Sequence, residues 1–355
     1  LNSSAKPSRN LARLPPSREQ AAAVRTVTER IMPTQEMILA GVTAFVITAL
    51  LGPVMIPVLK KLKFGQSILE EGPSWHKSKQ GVPTMGGLLF GVGIVVAFLI
   101  AGYGYYMHGD VTVLAALALA LVFGAIGFCD DYISVKKKRN LGLTAMQKLI
   151  LQVLATAAFL IFLYSHGAIT TNILIPFTNI VLELGLAYYI LALLLIVGMV
   201  NAVNFTDGLD GLLSSVTIPV MLFCLAAGLR SGAQPVAVLA SAVIGGLAGF
   251  LIFNFHPAKI FMGDTGSLFL GGLTVGAAFL AKNPLIIVVC GLVYICETAS
   301  VMLQVGYFKL THGKRLFKMS PIHHHFEQCG WSEVKIVAVF TFATVLFCVA
   351  AWFGL

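Results

Sequence analysis

Charge is what this chain has least of: Asp, Glu, Lys and Arg together make up 11% of its 355 residues. A soluble domain of that length needs about a quarter charged residues to cover its surface, so a water-facing fold is excluded. Cysteine is sparse as well. There are six, none in a CxxC pair, and Cys224, Cys290, Cys296 and Cys348 lie inside apolar runs. That pattern supports neither a disulfide framework nor a zinc site. The formal charge of +9 comes without a basic stripe interleaved with aromatics, so nucleic acid is not an expected partner. Residues 1–33 lack the uninterrupted apolar core of a signal peptide and carry Pro15-Pro16, which reads as a flexible polar tail with room for a short helix over Arg18–Ile31.

What the chain has in abundance is apolar length. Hydrophobic residues make up 57%, and mean hydropathy is +0.88. A backbone inside a bilayer must satisfy its own hydrogen bonds, so long apolar runs there mean helices. Stretches at 37–59, 85–103, 111–129, 148–165, 184–203, 212–230, 236–253, 267–281, 285–308 and 335–354 predict an all-α integral membrane protein. These make about ten transmembrane helices in a single domain over 34–355. Segment 165–183 between two of them suggests a hairpin or an interfacial helix.

The loops sort by charge. Connections after the odd-numbered spans hold Lys60, Lys61, Lys136, Lys137, Arg139, Lys314 and Arg315 among others, whereas the alternate set holds only Arg230 and Lys282. Lys and Arg concentrate on the cytoplasmic side, which places both termini outside, against the lone contrary signal of the basic N-terminal tail.

The reactive side chains crowd onto those odd loops. Asp130-Asp131 ends the third span just before Lys136 to Arg139. Adjacent carboxylates repel and are costly at a membrane boundary without a compensating cation, so a solvated span end neutralised by Lys136 to Arg139 is a weaker reading than a Mg²⁺ ligand or base beside phosphate-binding lysines. In Asn201-Ala-Val-Asn204-Phe-Thr-Asp207-Gly208-Leu-Asp210-Gly211 four polar side chains recur every third residue. Steps of three drift around a helix, so the four can converge on one ligand only if the helix unwinds, which Gly208 and Gly211 permit. Amides there could read a base edge or ribose, and carboxylates could hold a metal or hydroxyls. Capping would explain one or two of these residues, not four.

Phe261-Met-Gly263-Asp264-Thr-Gly266-Ser267 opens the eighth span, where glycines would let backbone N–H groups approach an anion and Asp264 could bind a metal. Asn254 and His256 lie just upstream. His323-His324-His325 follows a basic loop; taken alone it reads first as an interfacial basic segment, and as a site one or two of these histidines would face a phosphate as donors. Lys79 and Pro83-Thr84-Met85-Gly86-Gly87 precede the second span, where paired glycines more often serve close packing.

Taken in order, PTMGG at 83–87, DDY at 130–132, NAVNFTDGLDGL at 201–212, FMGDTGS at 261–267 and PIHHHFE at 321–327 resemble the polyprenyl-phosphate N-acetylhexosamine-1-phosphate transferase superfamily over about residues 37–355. Within it they look like the branch that forms lipid I. The resemblance implies transfer of phospho-MurNAc-pentapeptide from its UDP carrier to undecaprenyl phosphate, releasing UMP, with Mg²⁺ as cofactor. It also implies a homodimer in the bacterial plasma membrane, embedded in membrane lipid. On that resemblance Asp264 would hold Mg²⁺, helped by Asp207 or Asp131, and Asp130 would deprotonate or position the lipid phosphate. His324 joins these as a catalytic group. Asn204, Asp207, Asn254, Phe261 and Gln304 would form the nucleoside side. Lys79, Thr84, Lys138, Lys148, Asn201, Asp210, His323 and His325 would face phosphates or polar groups of the substrates. A double displacement through an aspartyl-phosphate stays open.

Two other readings compete. A sister enzyme moving GlcNAc-1-phosphate would share the Asp and Asn motifs, though PTMGG and the uninterrupted HHH favour the muramoyl branch. A transporter or lipid flippase would carry ionisable groups near the bilayer midplane, and only Glu297 is placed that way.

Overall fold

A computed structural model describes residues 18–62, 79, 81–137, 142–178 and 180–355 of the chain. Thirteen helices and one small hairpin are found among them. The helices are α1 (Arg18–Lys61), α2 (Gly87–Ala101), α3 (Tyr103–Met107), α4 (Thr112–Lys136), α5 (Ala145–Ser165), α6 (Leu186–Thr206) and α7 (Leu212–Ser231). They continue with α8 (Gln234–Asn254), α9 (Gly263–Leu280), α10 (Ile286–Cys290), α11 (Leu292–Leu310), α12 (Ile322–Gln328) and α13 (Glu333–Trp352). Every apolar stretch read from the sequence is helical, and seven helices are long and apolar enough to cross a membrane: α1 from Thr34, α4, α5, α6, α7, α8 and α13. The stretch 285–308 is interrupted at Gly291, where α10 gives way to α11. Helix α1 begins well inside the segment assigned to the polar tail, so residues 18–33 continue the first long helix.

The segment before α6 forms a hairpin, β1 (Asn172–Leu174) antiparallel to β2 (Val181–Glu183), with Ile173 opposite Leu182.

Helix α9 is the axis of the bundle. Every residue from Thr265 to Leu280 is buried, and α4, α6 and α2 pack around it. Lipid tails are as apolar as side chains, so helices in a bilayer associate through close packing rather than hydrophobic burial. Small residues on α9 supply that closeness. Gly271 lies against Val200 of α6, and Gly272 and Gly276 lie against Ala120 and Ala116 of α4. Gly266 meets Gly87 of α2 so tightly that a Cβ on Gly87 would stand 2.3 Å from the Gly266 Cα. The PTMGG motif therefore serves packing, and its backbone completes the joint: Gly86 and Gly87 donate to the carbonyls of Phe261 and Met262 at 2.8 and 2.9 Å, and Phe261 donates to the Pro83 carbonyl at 2.8 Å. The N-terminus of α9 is thus held in fixed register with the start of α2.

Candidate functional site

Residues from the five odd loops meet around the N-terminus of α9. Asp264, its second residue, is partly exposed. One of its oxygens bonds the Lys148 ammonium, and the other accepts from Asn204 Nδ2 at 2.9 Å. Asn204 also reaches Ser267 Oγ at 2.7 Å. Lys148 bridges to Asp130 Oδ1 at 3.2 Å, and that oxygen also accepts from the Leu143 N–H at 3.0 Å. Asp130, Lys148, Asp264 and Asn204 therefore form one connected polar chain across α4, α5, α6 and α9. Lys148 is placed for this by a capping box, in which Thr144 and Gln147 start α5 one turn before it bends toward the carboxylates.

The neighbouring Asp131 points elsewhere. It is buried and accepts from the Asp264 N–H at 3.2 Å, the Thr265 N–H at 2.9 Å and the Thr265 hydroxyl at 2.6 Å. Three of the roughly four acceptor positions of a carboxylate are thereby spent. It caps α9 from another helix, and Gly263, at φ 70°, leaves no room for a side chain: a Cβ would lie 2.5 Å from Asp131 Oδ2 and 2.6 Å from Thr84 Oγ1. Asp207 adds a second such anchor by accepting from the Gly263 N–H. The backbone donors expected to cradle an anion at FMGDTGS are occupied by these two carboxylates, because a helix that starts inside protein must satisfy its first N–H groups locally.

Burial pushes the Asp207 carboxyl up to about 8, and the nearby charges of Asp264, Asp131 and Asp210 add to the effect. Four carboxylates, those of Asp130, Asp131, Asp207 and Asp264, share this neighbourhood, and Lys148 is the cation bonded to them among the described residues. An all-oxygen, carboxylate-rich set short of positive charge suits a hard divalent cation such as Mg²⁺.

The three-residue series does not converge on one point. Helix α6 stops at Thr206, as the glycines require, and Gly211 turns the chain into α7 at φ 74°. Asn201 then pairs reciprocally with Gln152 of α5, at 2.7 and 3.4 Å. Asn204 and Asp207 reach the start of α9. Asp210, almost fully buried, accepts from Lys79 Nζ at 2.8 Å and the Ala258 N–H at 3.0 Å, with His256 Nδ1 at 3.1 Å. Glu333 of α13 takes the other side of Lys79, at 2.7 Å. Burial alone would lower the Lys79 ammonium, but the bonds to Asp210 and Glu333 outweigh it and hold its pKa above the ordinary value. Asp210, His256 and Glu333 are also spaced to hold a metal ion, yet the Lys79 ammonium sits between two of the three.

Several other expected substrate contacts face inward. Thr84 is buried beside Gly263. Asn254 donates to the Ile260 carbonyl at 3.0 Å, and Gln304 clamps the Leu316 and Phe317 N–H groups at 3.0 and 2.9 Å. His323 is buried, with Nδ1 2.9 Å from Glu297 Oε2. His324 and His325 are partly exposed. His324 Nδ1 lies 2.6 Å from Glu327, and His325 Nδ1 accepts from the Lys318 N–H at 3.1 Å. Phe261 is half-buried at the entrance to α9. Lys138 lies outside the described residues. Sequence reasoning missed Gln152, Ser267 and Glu333, since each is an ordinary helix residue until a partner far along the chain gives it a role, and it singled out Glu297 only for a transport reading.

Residues 113–282 match the family described as Glycosyl transferase family 4, a stretch that holds Asp130, Lys148, Asn204, Asp207 and Asp264. The phospho-N-acetylmuramoyl-pentapeptide-transferase of Clostridium botulinum is 47% identical over 330 residues, covering 93% of this chain and 99% of the relative. The protein of the same name from Clostridioides difficile is 46% identical over 325 residues, 90% of this chain and 97% of its own length. That of Bacillus thuringiensis is 50% identical over 307 residues, 86% and 93%.

Proposed function

The chain belongs to the phospho-N-acetylmuramoyl-pentapeptide-transferase family, and from that premise we propose that it moves phospho-MurNAc-pentapeptide from UDP-MurNAc-pentapeptide to undecaprenyl phosphate, forming lipid I and UMP for peptidoglycan synthesis. The observation that carries the proposal is the Asp130–Lys148–Asp264–Asn204 chain at the start of a buried central helix. An oxygen of the lipid phosphate attacks the sugar-bearing phosphorus. The bond from that phosphorus to the bridging oxygen breaks, and UMP leaves with the bridging oxygen.

Catalysis of such a transfer is mainly positioning and charge neutralisation. Lys148, held between two carboxylates, turns its ammonium to the incoming phosphates, and Asp130 orients the lipid phosphate. Proton removal contributes little, since a phosphate monoester with a second pKa of about 6 is already mostly ionised near neutral pH. Asp264 and Asp207 are the residues we assign to Mg²⁺, which when bound supplies Lewis-acid neutralisation of the pyrophosphate. His324 and His325, on the partly exposed side of α12, donate to phosphate or sugar oxygens.

The same reading sets the topology. With α2, α9 and the α10–α11 pair crossing alongside the seven long helices, the chain spans a bacterial plasma membrane about ten times. The odd loops then face the cytoplasm, both termini lie outside, and two copies pair within the bilayer. The test is UMP release from each UDP-sugar with undecaprenyl phosphate, with and without Mg²⁺. Release from UDP-MurNAc-pentapeptide that stops in EDTA is the expected result. Turnover with UDP-GlcNAc alone would reassign the chain to the sister reaction, and lipid movement without UMP would make it a flippase.

A further inference from the structure

Glu297 lies in the second turn of α11 with no exposed surface, and it has no place in the reaction as described. A buried carboxylate is costly unless paired, and an ionisable group at such a depth asks for a reason. Its partner is His323 of α12, itself buried. Glu297 Oε2 faces His323 Nδ1 at 2.9 Å and the His323 backbone N–H at 3.5 Å, which fixes the ring orientation. The far nitrogen of the ring, Nε2, is buried with no hydrogen-bond partner among the described residues, and so is Glu297 Oε1. That nitrogen is pressed against Gly208: a Cβ there would stand 2.1 Å from it. Gly208 directly follows Asp207, whose carboxyl anchors Gly263 at the start of α9.

A continuous line therefore runs from Glu297 through the His323 ring to the backbone of the turn that ends α6. This turn has left helical geometry at Asp207, and α6 holds it only by turn bonds, from the Asp207 N–H to the Asn204 carbonyl at 3.2 Å and from the Gly208 N–H to the Thr206 carbonyl at 3.0 Å. The imidazole edge lies against this turn at Gly208, and Glu297 bonds the opposite side of the ring. Leaving two buried polar atoms unpaired costs free energy of the kind tolerated where geometry at a site repays it.

We propose that Glu297 is a positioning residue for the transfer, acting through His323 and Gly208 to hold the Asp207 turn against the start of α9. The proposal rests on the reaction assigned above, but its physical link is tested separately from it. The full chain in nanodiscs would be compared as wild type, Glu297→Gln and Glu297→Ala. Two readouts apply: amide hydrogen exchange of segment 204–212, and kcat and KM for UMP release.

Glu297→Ala is expected to raise exchange within 204–212 selectively and lower kcat about tenfold or more, the usual cost of losing an outer partner of a site ligand. The KM for undecaprenyl phosphate should hold. Glu297→Gln, whose amide oxygen still accepts from Nδ1–H, should stay within about threefold of wild type because the hydrogen bond survives. If Glu297→Ala does not fold, Glu297→Asp replaces it, since the shorter side chain withdraws the oxygen from the ring. Unchanged exchange in 204–212, exchange raised across the whole bundle, or a Gln variant as impaired as Ala would each overturn the proposal. A wild type that releases no UMP would overturn the reaction instead, and the exchange data would still decide the link.

Discussion

At the scale of single residues, two neighbouring aspartates do different work because consecutive positions on a helix point about 100° apart. Asp130 faces Lys148, while Asp131 turns inward to cap α9. Asp131→Ala should therefore lower stability by about 1–2 kcal/mol, as removal of a helix cap does, and lower activity with it. Asp130→Ala should lower UMP release and leave the unfolding temperature nearly unchanged. Thermal unfolding of both variants in detergent checks the pair, and equal Tm losses would contradict the division. Asp264→Asn keeps the shape of the side chain and removes the charge that faces Lys148. A loss of about a hundredfold or more in kcat is expected from removing a preorganised charge at the reacting centre, with folding intact by the same Tm measurement.

At the scale of elements, the site depends on how closely α4, α2 and α9 approach. Gly127 of α4 is the tightest of these contacts, since a Cβ there would stand 2.0 Å from the Asp264 carbonyl oxygen. Gly127→Ala must push the start of α9 away, and overpacking of this kind costs about 1–3 kcal/mol. It should lower Tm and UMP release together. Gly91→Ala on α2, where nothing lies within 4 Å of the new Cβ, is the matched control and should leave both unchanged. Glycines read from the sequence as phosphate-approach positions thus act by letting helices touch, and the anion-facing N–H groups of α9 are already committed to Asp131 and Asp207.

At the scale of the whole molecule, the loops expected on one face do meet. Lys79, Asp210, His256 and Glu333 tie together the segments before α2, between α6 and α7, between α8 and α9, and at the start of α13. His323, on the connection before α13, reaches the turn after α6 at Gly208, and Asp130 and Lys148 bring in the remaining loop, between α4 and α5. Glu297, the residue that gave a transport reading its foothold, is consumed by His323 rather than lining a path between faces. If these loops are cytoplasmic, a single cysteine placed at Lys137 should react with a membrane-impermeant maleimide only in inverted vesicles. One placed at Thr178 in the hairpin should react only in intact cells, and the reverse pattern would invert the topology.

Much of this was legible from the sequence alone: the helical class, nearly every helix position, the one-sided collection of polar loops and the end of α6 near Gly208. Apolar length, loop charge and glycine placement are local quantities, and a bilayer converts them directly into structure. Which polar residues turn toward substrate and which hold the scaffold was not legible. Asn201, Asp210, Asn254, Gln304 and His323 carry the right chemistry for ligands, yet each bonds a protein partner, and Thr84 is buried beside Gly263. The partners stand far away in sequence, as Lys79 does 131 residues from Asp210 and 254 from Glu333. A side chain's role is set by what lies within about 3 Å of its polar atoms. Only the packing of α4, α6 and α2 around α9 decided that, leaving Asp130, Lys148, Asn204 and Asp264 as one connected polar chain at the start of α9, where we propose the phosphates react.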